Sequence, residues 1–152
     1  MNIARLNFSH GSHEEQLDKL TLIRNALLQR PEKQCAILLD TKGPEIRTGL
    51  LKDHKKVELK AGQELDILTD YKAMGTNEAI TCSYQTLPTT VSEGSTIYIG
   101  DGNLTCRVLS TQKDSVTVKV LNDYVLGEKK NMNLPGAIID LPTLTKQDIN
   151  DL

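Results

Sequence analysis

The sequence predicts a protein of mixed α and β structure, in which a strand–helix–strand unit precedes a series of short β-strands. Two observations support this fold class. The first 40 residues pass from a strand period to a helix period and then to an apolar run of strand length. Residues 49–134 then carry short β-rich runs separated by turn signals, which is typical of a small antiparallel barrel or sandwich.

The first strand is predicted over residues 2–8. Arg5, Asn7 and Ser9 alternate there with three apolar residues. Because side chains alternate between the two faces of a strand, the three polar side chains share one face. Three polar groups on one face at the end of a strand indicate either solvent exposure or a site.

A helix is predicted over residues 13–30 by apolar residues at helical spacing. Ser12 and Glu15 have the spacing of a capping box, and Pro31 ends the helix. The unbroken apolar run 35–39 predicts a second strand of the parallel type that is buried on both faces. Strand, helix and strand together form a βαβ unit.

The following part of the chain predicts six short strands and a final extended segment, separated by turns. A further helix is predicted to begin with Thr145 as its N-cap. The six strands are 57–59, 65–69, 79–83, 96–99, 104–109 and 116–121, the extended segment is 125–134, and turns fall at 61–62, 93–94, 101–103 and 113–114.

Composition excludes several classes of partner. A formal net charge of −2 gives no general attraction to nucleic acid or to anionic membranes. No apolar segment reaches the ~18 residues that a membrane-spanning helix needs, and no P-loop motif occurs. The three cysteines, Cys35, Cys82 and Cys106, are widely spaced and predict reduced structural thiols in an intracellular protein.

Polar residues gather at the ends of the first two predicted strands. If these strands are parallel neighbours, Arg5, Asn7, Ser9, Asp40 and Thr41 meet at one edge. Carboxylate, amide, hydroxyl and carbonyl oxygens suit a weakly held cation, and a guanidinium suits a phosphate-like anion. In the structural alternative, Asp40 is a turn or cap residue, and the side chains of Asn7 and Ser9 form hydrogen bonds with nearby backbone groups.

Three further features are candidates for function. Lys42 and Arg47 flank a stiff Gly-Pro turn near the same edge, although a solvated loop at a domain junction has the same pattern. Lys129 and Lys130 form a basic pair that either reaches a nucleotide phosphate or faces solvent. Asp101 lies in a Gly-Asp-Gly-Asn segment, which predicts a hairpin turn.

Three segments, residues 5–11, 40–49 and 130–135, resemble pyruvate kinases in order and spacing. The run Asp-Thr-Lys-Gly-Pro-Glu-Ile-Arg-Thr-Gly at 40–49 is a very specific match, and the resemblance covers nearly the whole chain. The resemblance implies a (β/α)₈ barrel with a small, mobile, antiparallel β-barrel lid inserted after its third strand. It assigns 1–43 to part of the barrel (strands two and three with the intervening helix), 44–139 to the lid, and 140–152 to the return into the barrel and the start of its next helix.

The resemblance also implies an activity. Pyruvate kinases transfer the phosphoryl group of phosphoenolpyruvate to ADP, which gives pyruvate and ATP in glycolysis, in the cytoplasm and as homotetramers, with potassium and magnesium ions. By motif position, Arg5 contacts the transferred phosphoryl group. Asn7, Ser9, Asp40 and the backbone carbonyl of Thr41 hold the potassium ion.

Further roles follow from the same motif positions. His10, Arg47 and Lys130 line the nucleotide site, assisted by Asn7. Asp101 lies on the inner face of the lid. Position 45 holds Glu45, the residue type of the potassium-dependent members; those that do without the ion tend to carry lysine there.

The resemblance places the catalytic lysine and most of the magnesium ligands outside these residues. A (β/α)₈ barrel needs on the order of 250 residues, so the 152-residue chain is expected to be a fragment without kinase activity of its own. The alternative function is a stand-alone β-barrel binding or structural module. That module would tolerate changes at Arg5, Asn7 and Asp40.

Overall fold

The computed structural model describes residues 1–152 and divides into two compact units. Unit 1 comprises Met1–Pro44 and Leu141–Leu152, and unit 2 comprises Glu45–Asp140. The chain thus leaves unit 1 once and returns to it once. The assignment of the units to a barrel and a lid remains a prediction.

Unit 1 is built on a parallel pair of strands. Strands β1 (Ile3–Asn7) and β2 (Ala36–Asp40) pair in parallel, with Asn7 opposite Asp40. Helix α1 (His13–Leu28) connects them, and helix α3 (Lys146–Asp151) follows the return of the chain. The predicted βαβ unit and its parallel pairing are therefore confirmed.

Both helices of unit 1 begin at the predicted caps. The Ser12 hydroxyl accepts a hydrogen bond from the Glu15 amide, and the Glu15 carboxylate accepts one from the Ser12 amide, which satisfies two free amides of α1. Thr145 and Asp148 form the same reciprocal pair at α3. The structure adds Asp148 as the second half of the α3 box.

Strand β2 is not buried on both faces, which corrects the prediction from its apolar run. Ile37 is 39% exposed and Leu38 is 47% exposed. The physical reason is that β2 has a single strand neighbour, β1, in a two-stranded sheet. A strand of this type is buried on both faces only where it has strand neighbours in the sheet and helices that cover both faces of the sheet.

Unit 2 contains nine strands and the short helix α2 (Leu87–Thr90), and all six predicted short strands are present. The strands are β3 (Ile46–Arg47), β4 (Val57–Leu59), β5 (Glu64–Leu68), β6 (Ala79–Thr81), β7 (Thr96–Ile99), β8 (Leu104–Thr111), β9 (Ser115–Val120), β10 (Tyr124–Leu126) and β11 (Asn131–Asn133). Seven of them form a curled sheet with the order β3-β11-β7-β8-β9-β5-β6, and β4 and β10 form a separate antiparallel pair.

The outer strands of this sheet approach each other. Thr48, just after β3, bridges Cys82, just after β6. The Gly49 amide donates to the Thr81 carbonyl at 2.9 Å, and the Ser83 amide donates to the Arg47 carbonyl at 2.9 Å. These contacts occupy backbone groups that would otherwise form open edges. Alternate aliphatic side chains of the strands form a fully buried core.

Two expectations for this region were wrong. Strands β5 and β6 pair in parallel rather than antiparallel, because the connection 69–78 carries the chain back before β6 begins. The extended segment 125–134 is broken into β10 and β11 by a turn in which Lys129 has a left-handed φ of 53°. Strand β3 has only two residues, too few for a sequence period to reveal it.

The three cysteines differ in burial. All three cysteines are free, with Cys82 and Cys106 buried and Cys35 half-buried. Every helix is too short or too polar to cross a membrane.

Candidate functional site

Arg5 and Asp40 form an ion pair across the parallel strands of unit 1. The Arg5 Nε atom donates to Asp40 Oδ2 at 2.8 Å, and its Nη2 atom contacts the same oxygen. The Phe8 amide donates to the Asp40 carbonyl at 2.9 Å and extends the pairing beyond β1. The Arg5 side chain keeps 58% of its accessible surface and that of Asp40 keeps 38%. A guanidinium oriented in this way remains accessible to an anion.

The predicted potassium ligands lie at the same strand ends. Asn7 is directly opposite Asp40, and the Asn7 Oδ1 atom accepts a hydrogen bond from the Ser9 amide at 2.9 Å. Asn7, Ser9, Asp40 and Thr41 are all partly accessible. Their donor set has one carboxylate and otherwise neutral oxygens, which fits a hard monovalent cation. No group of three or more His, Cys, Asp or Glu side chains is arranged to hold a metal ion.

Gln16 was not predicted, yet it fixes the segment that carries Asn7 and His10. Its Nε2 atom donates to the Asn7 carbonyl at 3.0 Å and to the His10 carbonyl at 2.7 Å. Gln16 is only 3% exposed. The available signal was its position, because Gln16 lies on the same helical stripe as Leu20 and Ile23. A polar residue on an apolar stripe indicates a specific buried partner.

Arg47 and Glu45 form the centre of a second cluster, in unit 2. The Arg47 Nε and Nη2 atoms donate to Glu45 Oε2 at 2.8 and 2.5 Å, and Nη1 donates to the Lys129 carbonyl at 2.7 Å. These bonds hold the guanidinium plane in one orientation. Lys130 follows directly and is exposed. The structure therefore brings the predicted residues Glu45, Arg47 and Lys130 together.

Asp101 joins this cluster through Asn131, which was not predicted. The Asp101 amide donates to Asn131 Oδ1 at 2.9 Å, and Asn131 Nδ2 donates back to Asp101 Oδ1 at 2.7 Å. Asn131 lies opposite Arg47 in the pairing of β11 with β3. Asp101 occupies the predicted hairpin turn between β7 and β8, with a left-handed φ of 59°. An asparagine inside a strand next to a basic pair was the one local signal for this contact.

The ten residues to which the resemblance assigns a role thus form two groups, and each group lies within one unit. The first group lies in unit 1 and consists of Arg5, Asn7, Ser9, His10, Asp40 and Thr41. The second group lies in unit 2 and consists of Glu45, Arg47, Asp101 and Lys130.

Comparison with known proteins identifies the family. The family profile described as "Pyruvate kinase, barrel domain" matches residues 1–152. The chain belongs to the pyruvate kinase family. The resemblance carried by residues 5–11, 40–49 and 130–135 is therefore confirmed, and the family is one of phosphotransferases.

Individual relatives cover the whole chain. Pyruvate kinase of Eimeria tenella is 51% identical over 152 residues, which is 100% of this chain and 29% of the relative. The cytosolic isozyme of Glycine max is 49% identical over 154 residues, which is 100% of this chain and 30% of the relative. The chain thus spans about three-tenths of the length of the relatives that it matches, and the prediction that it corresponds to part of a pyruvate kinase is confirmed.

Solved structures agree with the sequence comparison. A crystal structure of a pyruvate kinase from Cryptosporidium parvum, 52% identical, superimposes with a TM-score of 0.95 and covers 99% of this chain and 30% of its own. Another structure of Cryptosporidium parvum pyruvate kinase, in complex with ADP, has 52% identity and a TM-score of 0.74 with the same coverage. These likenesses establish the mixed α and β architecture of the pyruvate kinase barrel domain for this chain.

Proposed function

We propose that the full-length protein containing this chain transfers the phosphoryl group of phosphoenolpyruvate to ADP and releases pyruvate and ATP in glycolysis. The observation that carries the proposal is the Arg5–Asp40 corner at the ends of parallel strands, in a chain that matches pyruvate kinases from end to end. Ligands of such α/β folds bind beyond the carboxyl ends of the strands.

In this proposal Arg5 contacts the phosphoryl group in transfer. Phosphoryl transfer spreads negative charge over the equatorial oxygens, so catalysis depends on positioning and on neutralisation of that charge. A guanidinium supplies several planar donors to such oxygens. Asp40 orients Arg5 before the substrate binds, which reduces the side-chain conformational entropy that Arg5 loses on binding.

The same corner would hold the potassium ion. Asn7, Ser9, Asp40 and the Thr41 carbonyl provide the oxygens, and the ion supplies positive charge next to the transferred group when it is bound. Glu45 is the residue type of the potassium-dependent members of the family, which supports a potassium-dependent enzyme. The magnesium ion of the family would be held mostly by residues outside this chain.

The nucleotide would be bound by His10, Arg47 and Lys130, with help from Asn7. Arg47 is already oriented by Glu45 and by the Lys129 carbonyl, and Lys130 is exposed. The structure of the Cryptosporidium parvum relative in complex with ADP supports nucleotide binding by this family.

Unit 2 would act as the lid of the active site. Its seven-stranded sheet and the bridge between its outer strands are in keeping with a small β-barrel inserted into a (β/α)₈ barrel. Closing a lid excludes water, which strengthens the charge interactions and prevents hydrolysis of the phosphoryl donor. Asp101 would then face the inside of the lid.

We further propose a cytoplasmic homotetramer for the full-length protein. Several relatives are named cytosolic isozymes, among them those of Glycine max and Solanum tuberosum. The isolated 152-residue chain would not turn over phosphoenolpyruvate, because the catalytic lysine expected from the family lies outside it.

The test is the substitution Arg5→Lys in the full-length enzyme, with pyruvate formation measured in a coupled assay. We expect a fall in kcat of about 100-fold or more, because lysine keeps the charge but loses the planar fork that matches the phosphoryl oxygens. The matched control is Arg30→Lys, since Arg30 is also an exposed arginine of unit 1 and is paired with Glu32 at 2.6 Å. Unchanged turnover in Arg5→Lys would favour the stand-alone binding or structural module.

A further inference from the structure

The turn 127–130 in unit 2 carries a costly backbone conformation. Lys129 has a φ of 53°, in the left-handed region that is unfavourable for a residue with a side chain. Such a conformation persists only where the surrounding structure holds it. The contacts that hold this turn therefore determine where Lys130 and the Lys129 carbonyl lie.

Glu128 anchors one side of the turn. Its Oε1 atom accepts hydrogen bonds from the Leu51 amide at 2.9 Å and from His54 Nδ1 at 3.0 Å. These donors hold the pKa of Glu128 below its usual value, with the Leu51 amide as the largest cause. Leu51 is 2% exposed and its backbone bridges Gly75. The anchor point is therefore a fixed part of the core.

The other side of the turn contacts the segment after β3. The Lys130 amide donates to Thr48 Oγ1 at 2.9 Å, and the Thr48 amide donates to the Lys130 carbonyl at 2.7 Å. The Lys129 carbonyl accepts from Arg47 Nη1 at 2.7 Å. A displacement of the turn would thus move Lys130 and remove one of the bonds that orient Arg47.

We propose that Glu128 is a positioning residue, which fixes the turn 127–130 to the backbone of Leu51 and so sets the places of Arg47 and Lys130 for the phosphate groups of a nucleoside diphosphate. The inference rests on the proposed function of these two residues. Glu128 acts through the backbone and does not touch the nucleotide. Its own negative charge would repel phosphate, so positioning and simple electrostatics predict opposite effects of its removal.

The experiment compares Glu128→Gln, Glu128→Asp and Glu128→Ala in the full-length enzyme. Glutamine keeps the reach of Oε1 to the Leu51 amide and loses the charge, whereas aspartate keeps the charge and loses the reach. We expect Glu128→Ala to raise the Kd for ADP, measured by titration calorimetry, about fivefold. Glu128→Asp should lie between alanine and wild type, and Glu128→Gln should bind ADP like wild type.

Two further readouts separate positioning from a general loss of stability. Amide hydrogen exchange at Lys130 should accelerate in Glu128→Ala and Glu128→Asp, and the KM for phosphoenolpyruvate should stay unchanged. The control is Glu58→Ala, since Glu58 is a carboxylate of unit 2 whose side chain is 74% exposed. If Glu128→Ala does not fold, the comparison of glutamine with aspartate decides.

The outcomes are distinct. Tighter ADP binding in Glu128→Ala and Glu128→Gln would overturn positioning in favour of a plain charge effect. If amide exchange at Lys130 is faster in Glu128→Ala but ADP binding is unchanged, Glu128 anchors the turn without a role in nucleotide binding. That result would also overturn the proposal. If the wild-type enzyme does not bind ADP, both the proposed function and the positioning role of Glu128 are wrong.

Discussion

At the scale of single residues, Gly49 has a steric role that its motif does not reveal. A Cβ atom at this position would lie 1.9 Å from Thr81 Oγ1 and 3.3 Å from Thr81 Cβ. The Gly49 amide donates to the Thr81 carbonyl at 2.9 Å, so the backbones cannot separate without breaking this bond. Gly49 therefore allows the segments after β3 and at β6 to approach each other and join the outer strands of the sheet.

We predict that Gly49→Ala destabilises unit 2 by about 1–3 kcal/mol, the usual cost of overpacking a filled core. The measurement is the urea midpoint of the chain, followed by circular dichroism. Gly127→Ala is the matched control, because its Cβ would meet only Lys130 Cε at 3.6 Å. The double variant Gly49→Ala/Thr81→Ala should recover part of the loss, and a Gly49→Ala midpoint equal to that of Gly127→Ala would contradict the prediction.

Residue contacts were predictable where they follow from period and register. The alternation of Arg5, Asn7 and Ser9, with Asp40 at a strand end, placed Arg5 and Asp40 together, and the structure pairs them. Gln16 and Asn131 were not predicted. Their role depends on which backbone groups of other segments lie within hydrogen-bond distance, and a sequence pattern holds no information about that distance.

At the scale of elements, strands and helices with a clear period were predicted well. The six short strands, helix α1 and the caps at Ser12 and Thr145 are all present. The predictions that failed have a common cause, because the neighbours with which a strand packs are determined by the tertiary structure and not by the strand's own sequence. The parallel pairing of β5 with β6 and the exposure of β2 depend on which neighbours are available.

Helix α3 gives a prediction about pH. Asp148 is buried, and its carboxylate accepts hydrogen bonds from Thr145 and from the Gly43 amide, the latter at 2.9 Å. These donors hold the pKa of Asp148 below its ordinary value of 3.8, with Thr145 as the main cause. The contribution to stability is therefore fully present above the unfolded pKa, and it is lost as the pH falls through the lower folded pKa.

The measurement is an NMR titration of the Asp148 carboxyl carbon in the chain, with a midpoint expected below 3.8. The signals of the Gly43 and Thr145 amides should shift with the same midpoint. Asp148→Asn should abolish this common transition at both amides. A midpoint at or above the ordinary aspartate value would show that these donors do not stabilise the charged form.

At the scale of the whole molecule, the two units differ in how well they bury their apolar side chains. The aliphatic core of unit 2 is fully buried along β5, β7, β8 and β9. Unit 1 leaves Leu22 and Leu28 on α1, and Ile37 and Leu38 on β2, exposed to solvent. Since burial of apolar surface is the main source of stability, unit 2 is expected to be the more stable of the two.

The cysteines allow this difference to be measured. Cys35 lies in unit 1 and is half-buried, whereas burial raises the pKa of Cys82 to about 11 and that of Cys106 to about 12 in unit 2. Because the thiolate is the reactive form, we expect Ellman's reagent at pH 8 to label Cys35 first. Cys82 and Cys106 should react only at urea concentrations that unfold unit 2. Equal labelling rates for all three thiols in the native chain would contradict this.

The division of unit 1 into two stretches of sequence has a consequence for its synthesis on the ribosome. The two stretches contact each other through two hydrogen-bonded pairs. The Gly43 amide pairs with Asp148, and His13 Nε2 lies 2.7 Å from a carboxylate oxygen of Asp151. The whole of Glu45–Asp140 is translated between the two stretches, which at about 5–20 residues per second takes on the order of 5–20 seconds. During that interval β1, α1 and β2 have emerged without α3, while the sheet of unit 2 receives all its strands in one continuous piece. The order of emergence therefore favours unit 2 as the first to complete its fold. Unit 1, although its first stretch is synthesised earlier, cannot be completed until α3 has emerged.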